Sequence, residues 1–166
     1  MSDSVLDPVA GVLSRRFFDL WIAKELVRCQ RYGRPLSLGF AAVDRMSRWN
    51  ERRGREAGDR ILRTVGELLE RTCRASDVVA RYDGDTFAVV LPETDLFSAR
   101  EVAAMLCLQV ARHDWDSALD GDEPVTVSVG VVAVDPAQNL SATVEKALRH
   151  LERARTTGRN RVYAGA

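Results

Sequence analysis

The stretch Val78-Val79-Ala80-Arg81-Tyr82-Asp83-Gly84-Asp85-Thr86-Phe87-Ala88-Val89-Val90-Leu91-Pro92 sets two apolar runs around a short polar break. Branched and aromatic side chains suit a pleated, half-buried strand, and Asp-Gly between two such runs is a strong local hairpin signal. The strands are predicted over Val78–Tyr82 and Phe87–Leu91, with Asp83–Thr86 at the tip and Pro92 as the stop.

Upstream of this hairpin, Ile61, Leu62, Val65, Leu68 and Leu69 mark one face of a helix from about Glu56 to Cys73. Before that helix, LSLGFAAV at 36–43 is an apolar strand, predicted to be central, and a short helical turn is expected within the polar stretch 44–58. Phe18, Ile22 and Leu26, with Phe17 and Trp21 beside them, predict a first helix that Ser14 caps and Gly33 and Pro35 end. Downstream, a helix is expected over 95–112, with Phe97, Val102, Leu106 and Val110 on its inner side. A polar loop at 114–123 follows, then a strand at 125–134, a helix from Ser141 to Arg155 and an edge strand at Arg161–Tyr163. The order is α-β-α-β-β-α-β-α-β. Without a clean βαβ repeat, this is an α+β fold: a mixed or antiparallel sheet of about five strands, flanked by about four main helices. Residues 1–12 are expected as an arm or linker and 13–166 as one domain.

The 24 basic and 24 acidic residues cancel. This gives no support for a general nucleic-acid coat or a polybasic membrane anchor. No apolar run reaches the ~20 residues that cross a bilayer, and the first ten residues lack a signal-peptide pattern; a cytoplasmic protein without a membrane span is the expectation. Cys29, Cys73 and Cys107 form no CxxC pair and are expected as buried free thiols. Arg45, Arg48, Arg52, Arg53 and Arg55 crowd one segment, which is either a solvated face or an anion-binding surface.

Six segments in register carry a more specific pattern: DPVAGVLSRRFF at 7–18, RYGRPLSLGFAAVD at 31–44, the frame Asn50, Gly54, Gly58, Asp59, RASDVVARYDGDTF at 74–87, TVSVG at 126–130, and GRN at 158–160. Together they resemble the GGDEF family of diguanylate cyclases. That resemblance implies a palm-like α+β fold similar to nucleotidyl cyclase catalytic domains. Active members join two GTP molecules into cyclic di-GMP using divalent metal, and many bind the product at a separate R-x-x-D site.

Several positions depart from the family pattern. Ala42 stands where the first metal-binding aspartate of D-x-D is expected, and alanine has no ligand atom. Asp83 replaces the first signature glycine and Thr86 the acidic fourth position, while Asp85 keeps the acidic third. Met46-Ser47 replaces Phe-Lys, and Arg155 replaces a helix-end lysine. The resemblance therefore implies a degenerate member without turnover or a metal cofactor, with Asp44 and Asp85 as residual metal candidates. A displaced cluster of Asp44, Asp83 and Asp85, supporting weak cyclase activity, is one alternative. Turn-stabilising aspartates are the other.

Asn50 and Asp59 match the family's guanine-contacting pair; equally, each suits a local turn or helix cap. Arg74 and Asp77 match R-x-x-D at the family's distance from the signature, with Arg28 at a position from which a neighbouring domain offers a further arginine. Guanidinium groups suit phosphates and the guanine edge. The expectation is a regulatory module that binds cyclic di-GMP, works with a protein partner in a signalling pathway, and forms a homodimer if Arg28 acts across two chains. An adaptor that binds no nucleotide is the alternative.

Overall fold

The computed structural model describes residues 4–115, 119 and 123–165. The elements are α1 (Arg15–Tyr32), β1 (Leu36–Val43), α2 (Met46–Arg53), α3 (Arg55–Thr72), β2 (Val78–Asp83), β3 (Thr86–Pro92), α4 (Leu96–Arg112), β4 (Val127–Ala133), α5 (Leu140–Thr156) and β5 (Val162–Gly165). Five strands form one sheet in the order β2-β3-β1-β4-β5. The first three pairings are antiparallel and β4–β5 is parallel, giving the expected mixed sheet flanked by helices.

Strand alternation divides the core into two layers. Ala41, Val43, Phe87, Val89 and Leu91 point to the face covered by α3 and α4, where Ile61, Val65, Leu69, Ala103, Leu106 and Val110 are buried. Leu38, Phe40, Ala42, Ala88 and Val90 point to the other face, against Phe18 and Ile22 of α1 and Ala147 and Leu151 of α5.

Glycine decides how close one of these helices comes. A Cβ at Gly130 would lie 2.1 Å from the Leu151 amide nitrogen and 2.5 Å from the Ala147 carbonyl oxygen, so the backbone of α5 rests directly on β4.

Helix ends follow local chemistry. Asp95 and Asn139 cap α4 and α5 by accepting from the amides of Ser98 and Ala142. Gly33 ends α1 in the left-handed conformation at φ 66°. Ser14 is the N-cap of α1 by position only: its side chain makes no capping bond, and its buried hydroxyl has no partner among the described residues.

Some sequence expectations shift. The hairpin loop is two residues long, Gly84-Asp85, because Asp83 pairs with Thr86 and a bulge lies between Arg81 and Asp83. Gly84 does not use a left-handed backbone, so the bulge accommodates the turn instead. The inner face of α4 is Ala99, Ala103, Leu106, Cys107 and Val110; Phe97, expected inside, is 71% exposed. Leu26 is half-buried and Trp21 exposed, because Glu25 and Cys29 take the buried positions that continue the stripe of Phe18 and Ile22. The arm expected over residues 1–12 is docked where it is described, with Ala10 and Val12 in the core and Leu13 bridged to Ala80; residues 1–3 lie outside the described set. So do 116–118 and 120–122 of the expected loop, although Trp115 and Leu119 beside them are buried.

The three cysteines are free, with Cys29 and Cys107 buried and Cys73 half-buried. Burial is the main cause that pushes the Cys73 and Cys107 thiols up to about 12.

Gly130→Ala is expected to destabilise the fold by about 3 kcal/mol or more, since backbone must move to admit the methyl group. Gly39→Ala, whose Cβ would meet the Val131 side chain at 3.0 Å, is expected to cost less. Urea unfolding of the two variants gives the comparison; equal midpoints would contradict the close helix–strand contact.

Candidate functional site

The hairpin tip, α2 and α3 enclose a cleft of about 550 Å3, lined by Asn50, Arg55, Asp59, Arg81, Asp83 and Asp85, among others. Asn50 lies within α2 and Asp59 within α3, so neither is a helix cap. Gly58 lets the Asn50 side chain lie across α3: a Cβ there would sit 1.8 Å from its Oδ1. Among the described residues, neither Asn50 nor Asp59 has a side-chain hydrogen bond, which leaves an amide and a carboxylate open to the cleft. The structure therefore brings the expected guanine-contacting pair together beside Asp83 and Asp85.

The tip is fastened from below. Arg81 donates to the Gly84 carbonyl through Nε (3.1 Å) and Nη2 (2.6 Å), and to Asp7 through Nη1 (2.9 Å). Asp7 also accepts from the amides of Val9 and Ala10, so one carboxylate shapes the N-terminal turn and anchors the hairpin. Asp83 accepts from the Gly84 amide and Asp85 from the Thr86 hydroxyl, both turn-stabilising roles. A Cβ at Gly84 would meet open space, so the chain's own packing does not demand a glycine there.

The carboxylates do not gather as a displaced metal cluster. Ala42, fully buried, sits opposite Thr86 and Ser128 in the ladder and offers no donor. Asp44 is 4% exposed and both its oxygens accept hydrogen bonds: Ser128 donates to Oδ1 (2.7 Å), and Thr126 (2.7 Å) and the Asn160 amide (3.0 Å) donate to Oδ2. It lines a different cleft from Asp83 and Asp85. Asp44 thus ties β4, the chain preceding it and the turn before β5 together through one buried carboxylate. Of Asp44 and Asp85, Asp85 alone faces the cleft. Among the described residues, no three His, Cys, Asp or Glu side chains form a group able to hold a metal ion. The donor set does not fit the divalent metal of an active family member.

Arg74 and Asp77 meet at the turn between α3 and β2. Asp77, its side chain 1% exposed, accepts from the Arg74 amide (2.8 Å) and from its Nη2 (3.3 Å). Nη2 also donates to the Pro92 carbonyl and the Thr94 hydroxyl. Two surroundings of this pair escaped the sequence reading. Thr94 fixes the guanidinium from the β3–α4 turn, where Glu93 holds φ 52°. Trp21 and Leu13 line an adjoining cleft of about 400 Å3 with Glu70, Cys73, Arg74 and Asp77. Helical spacing places Trp21 on α1, but nothing in the sequence pairs it with residue 74. Arg28 is not in this cleft. It pairs with Glu25 (3.2 Å) and lines a small separate hollow with Arg34 and Glu93. Arg155, in the last turn of α5, lines neither the Asn50–Asp59 cleft nor the Arg74 cleft.

An exposed hairpin tip at the end of a five-stranded palm-like sheet, with a polar cleft below it and an Arg-Asp pair at the base of β2, is the arrangement of a GGDEF domain. Residues 4–161 match the family described as diguanylate cyclase, GGDEF domain, and the chain belongs to that family. Diguanylate cyclase DgcP of Pseudomonas aeruginosa is 30% identical over 161 residues, covering 96% of this chain and 24% of that protein. Diguanylate cyclase DosC of Escherichia coli is 30% identical over 157 residues, covering 95% and 34%. This chain thus spans about a quarter to a third of the length of these relatives. Among solved structures, diguanylate cyclase SiaD of Pseudomonas aeruginosa, in complex with its activator SiaC, superposes with TM-score 0.87 at 30% identity, covering 98% of this chain and 62% of that one. The GGDEF domain of DgcB from Caulobacter crescentus, in complex with c-di-GMP, shares the fold with TM-score 0.89 at 23% identity, covering 99% and 94%. No helix among the described residues is long and apolar enough to cross a membrane.

Arg81→Ala should destabilise the domain by about 2 kcal/mol, because it leaves the partly buried Asp7 without its charged partner. Arg34→Ala, which removes an exposed pair with Glu93, should cost less than about 0.5 kcal/mol. Chemical denaturation reads both, and a cost for Arg34→Ala matching that for Arg81→Ala would refute the anchoring role.

Proposed function

We propose that this domain binds cyclic di-GMP at Arg74 and Asp77 as a regulatory module and does not turn over GTP. The observation that carries the reading is the Arg74 guanidinium. It is 58% exposed at the edge of a cleft, yet oriented by Asp77, Thr94 and the Pro92 carbonyl. Its Nη1 bonds to no described residue and remains available to a phosphate or a guanine edge. Preorganisation of this kind reduces the entropy lost on binding. Because Asp77 is buried against Arg74, its part is to aim the guanidinium, and it reaches guanine only if that pair opens.

The lack of turnover rests on Ala42, on the buried and hydrogen-bonded Asp44, and on Thr86 and Asp83 at the signature. With no ligand atom at Ala42 and no group of three acidic, His or Cys side chains placed to hold a metal among the described residues, the phosphate charge of GTP stays unneutralised. Asp83 adds further negative charge beside Asp59 and Asp85, so GTP is expected to bind weakly, and less well than GDP or GMP. Arg28 enters only from a second copy of the chain, in which case ligand binding and dimerisation are linked. The regulatory module works with a protein partner in a signalling pathway.

Calorimetric titration tests this reading. Cyclic di-GMP is expected to bind equally with and without EDTA. Arg74→Ala should weaken binding about tenfold or more, or about 1.4 kcal/mol. Asp77→Ala should weaken it too, and Asp85→Ala should change it little. Wild-type affinity in Arg74→Ala would overturn the site, and absence of binding at high micromolar ligand would favour the adaptor reading. Conversion of GTP to cyclic di-GMP with magnesium or manganese at ~1 s⁻¹ or faster, a rate ordinary for enzymes, would overturn the assignment of inactivity.

A further inference from the structure

A second cleft, of about 250 Å3, lies on the outer side of α2, where that helix meets the chain entering β4 and the turn before β5. Arg45, Arg48, Arg52 and Arg159 line it, with Trp49 and Pro124 as apolar neighbours. Two carboxylates belong to the same wall. Asp44 accepts from Thr126, Ser128 and the Asn160 amide. Glu123 takes Arg48 on one oxygen (3.2 Å) and Arg52 on the other (3.7 Å). The side chains of Arg45 and Arg159 bond to no described residue. Among the described residues, four guanidinium groups thus face two carboxylates, and both acids are already engaged.

Backbone conformation adds a second observation. Arg45 and Arg159 hold left-handed φ values of 56° and 60°, and Asn160 next to the latter holds 47°. Residues with a Cβ are strained there, and such strain gathers at binding sites. A glycine would serve the chain better at both positions, yet both carry a long cation.

We propose that this cleft docks an acidic segment of a partner protein. Glu123 already displays the pairing within the chain: one glutamate bridging two arginines of α2. An incoming carboxylate finds the same chemistry at Arg45 and Arg159, and its methylene stem packs on Trp49 and Pro124. The arginines form a compact cluster on a chain of zero net charge. That favours a short acidic peptide over a nucleic-acid backbone, which needs an extended basic track. The cleft shares none of its lining residues with the Arg74 cleft, so the proposal stands independently of cyclic di-GMP binding.

The test is fluorescence anisotropy with a labelled hexaglutamate peptide in low salt, using the full chain. The peptide is expected to bind at micromolar concentration, less tightly as salt rises, and with unchanged affinity in Arg74→Ala. The double variant Arg45→Gly/Arg159→Gly should weaken binding tenfold or more. Glycine relieves the left-handed strain, so the variant should melt no lower than the wild type, which separates lost docking from lost folding. Each single variant should weaken binding severalfold and provides a second reading. Equal affinity of wild type and double variant would overturn the proposal, as would no binding at high micromolar peptide. Displacement of the peptide by pyrophosphate well below the peptide's own binding concentration would reassign the cleft to small anions. Tighter binding of a short single-stranded oligonucleotide than of the peptide would reassign it to nucleic acid.

Discussion

Every residue of β1 is buried, and strands flank it on both edges. A strand in that position has no solvent face, so its side chains must satisfy two cores at once: Ala41 and Val43 on the α3–α4 side, and Leu38, Phe40 and Ala42 on the α1–α5 side. The remaining architecture hangs from this strand. Its pairing with β3 fixes the hairpin register and so the height of the tip. Its pairing with β4 brings Thr126 and Ser128 to Asp44. Where β1 ends, α2 begins, with Arg45 bent into the left-handed region between them.

Two polar anchors convert this frame into clefts. Arg81 joins the hairpin loop to Asp7, and Arg74 joins the start of β2 to the turn after β3. Both use a guanidinium whose several donors reach separate strands and turns, a task that a lysine's compact charge does less well. The hairpin is consequently held at both ends: its tip by Arg81 and its base by Arg74. The Asn50–Asp59 cleft lies under the tip and the Arg74 cleft beside the base.

The elements were legible because their signals were local and strong: the Asp-Gly turn between apolar runs, the stripe of Ile61, Leu62, Val65, Leu68 and Leu69, and the glycine after Tyr32. The pairing of Arg74 with Asp77 and the meeting of Asn50 with Asp59 were also legible, since each follows from short spacing or a recognised frame. Long-range partners were not. Nothing in the sequence joins Asp44 to Ser128 and Asn160, so its structural hydrogen bonds were not foreseen. Nor does spacing place Trp21 next to Arg74, or reveal that Phe97 starts α4 on its outer side while alanines take the inner one. Small residues at 99 and 103 carry little hydrophobic signal, yet both are buried on the inner face of α4.

The burial of Ala42 has a consequence for how this sequence can change. An aspartate introduced there alone would enter a fully enclosed position, and an uncompensated buried carboxylate costs several kcal/mol. Alanine, by contrast, fits without penalty. Replacement of an acid by alanine at this corner therefore runs downhill in stability, whereas the reverse must cross a less stable intermediate unless metal-binding partners arrive first. The fold acts as a ratchet at this position: it lets a carboxylate go more readily than it takes one back.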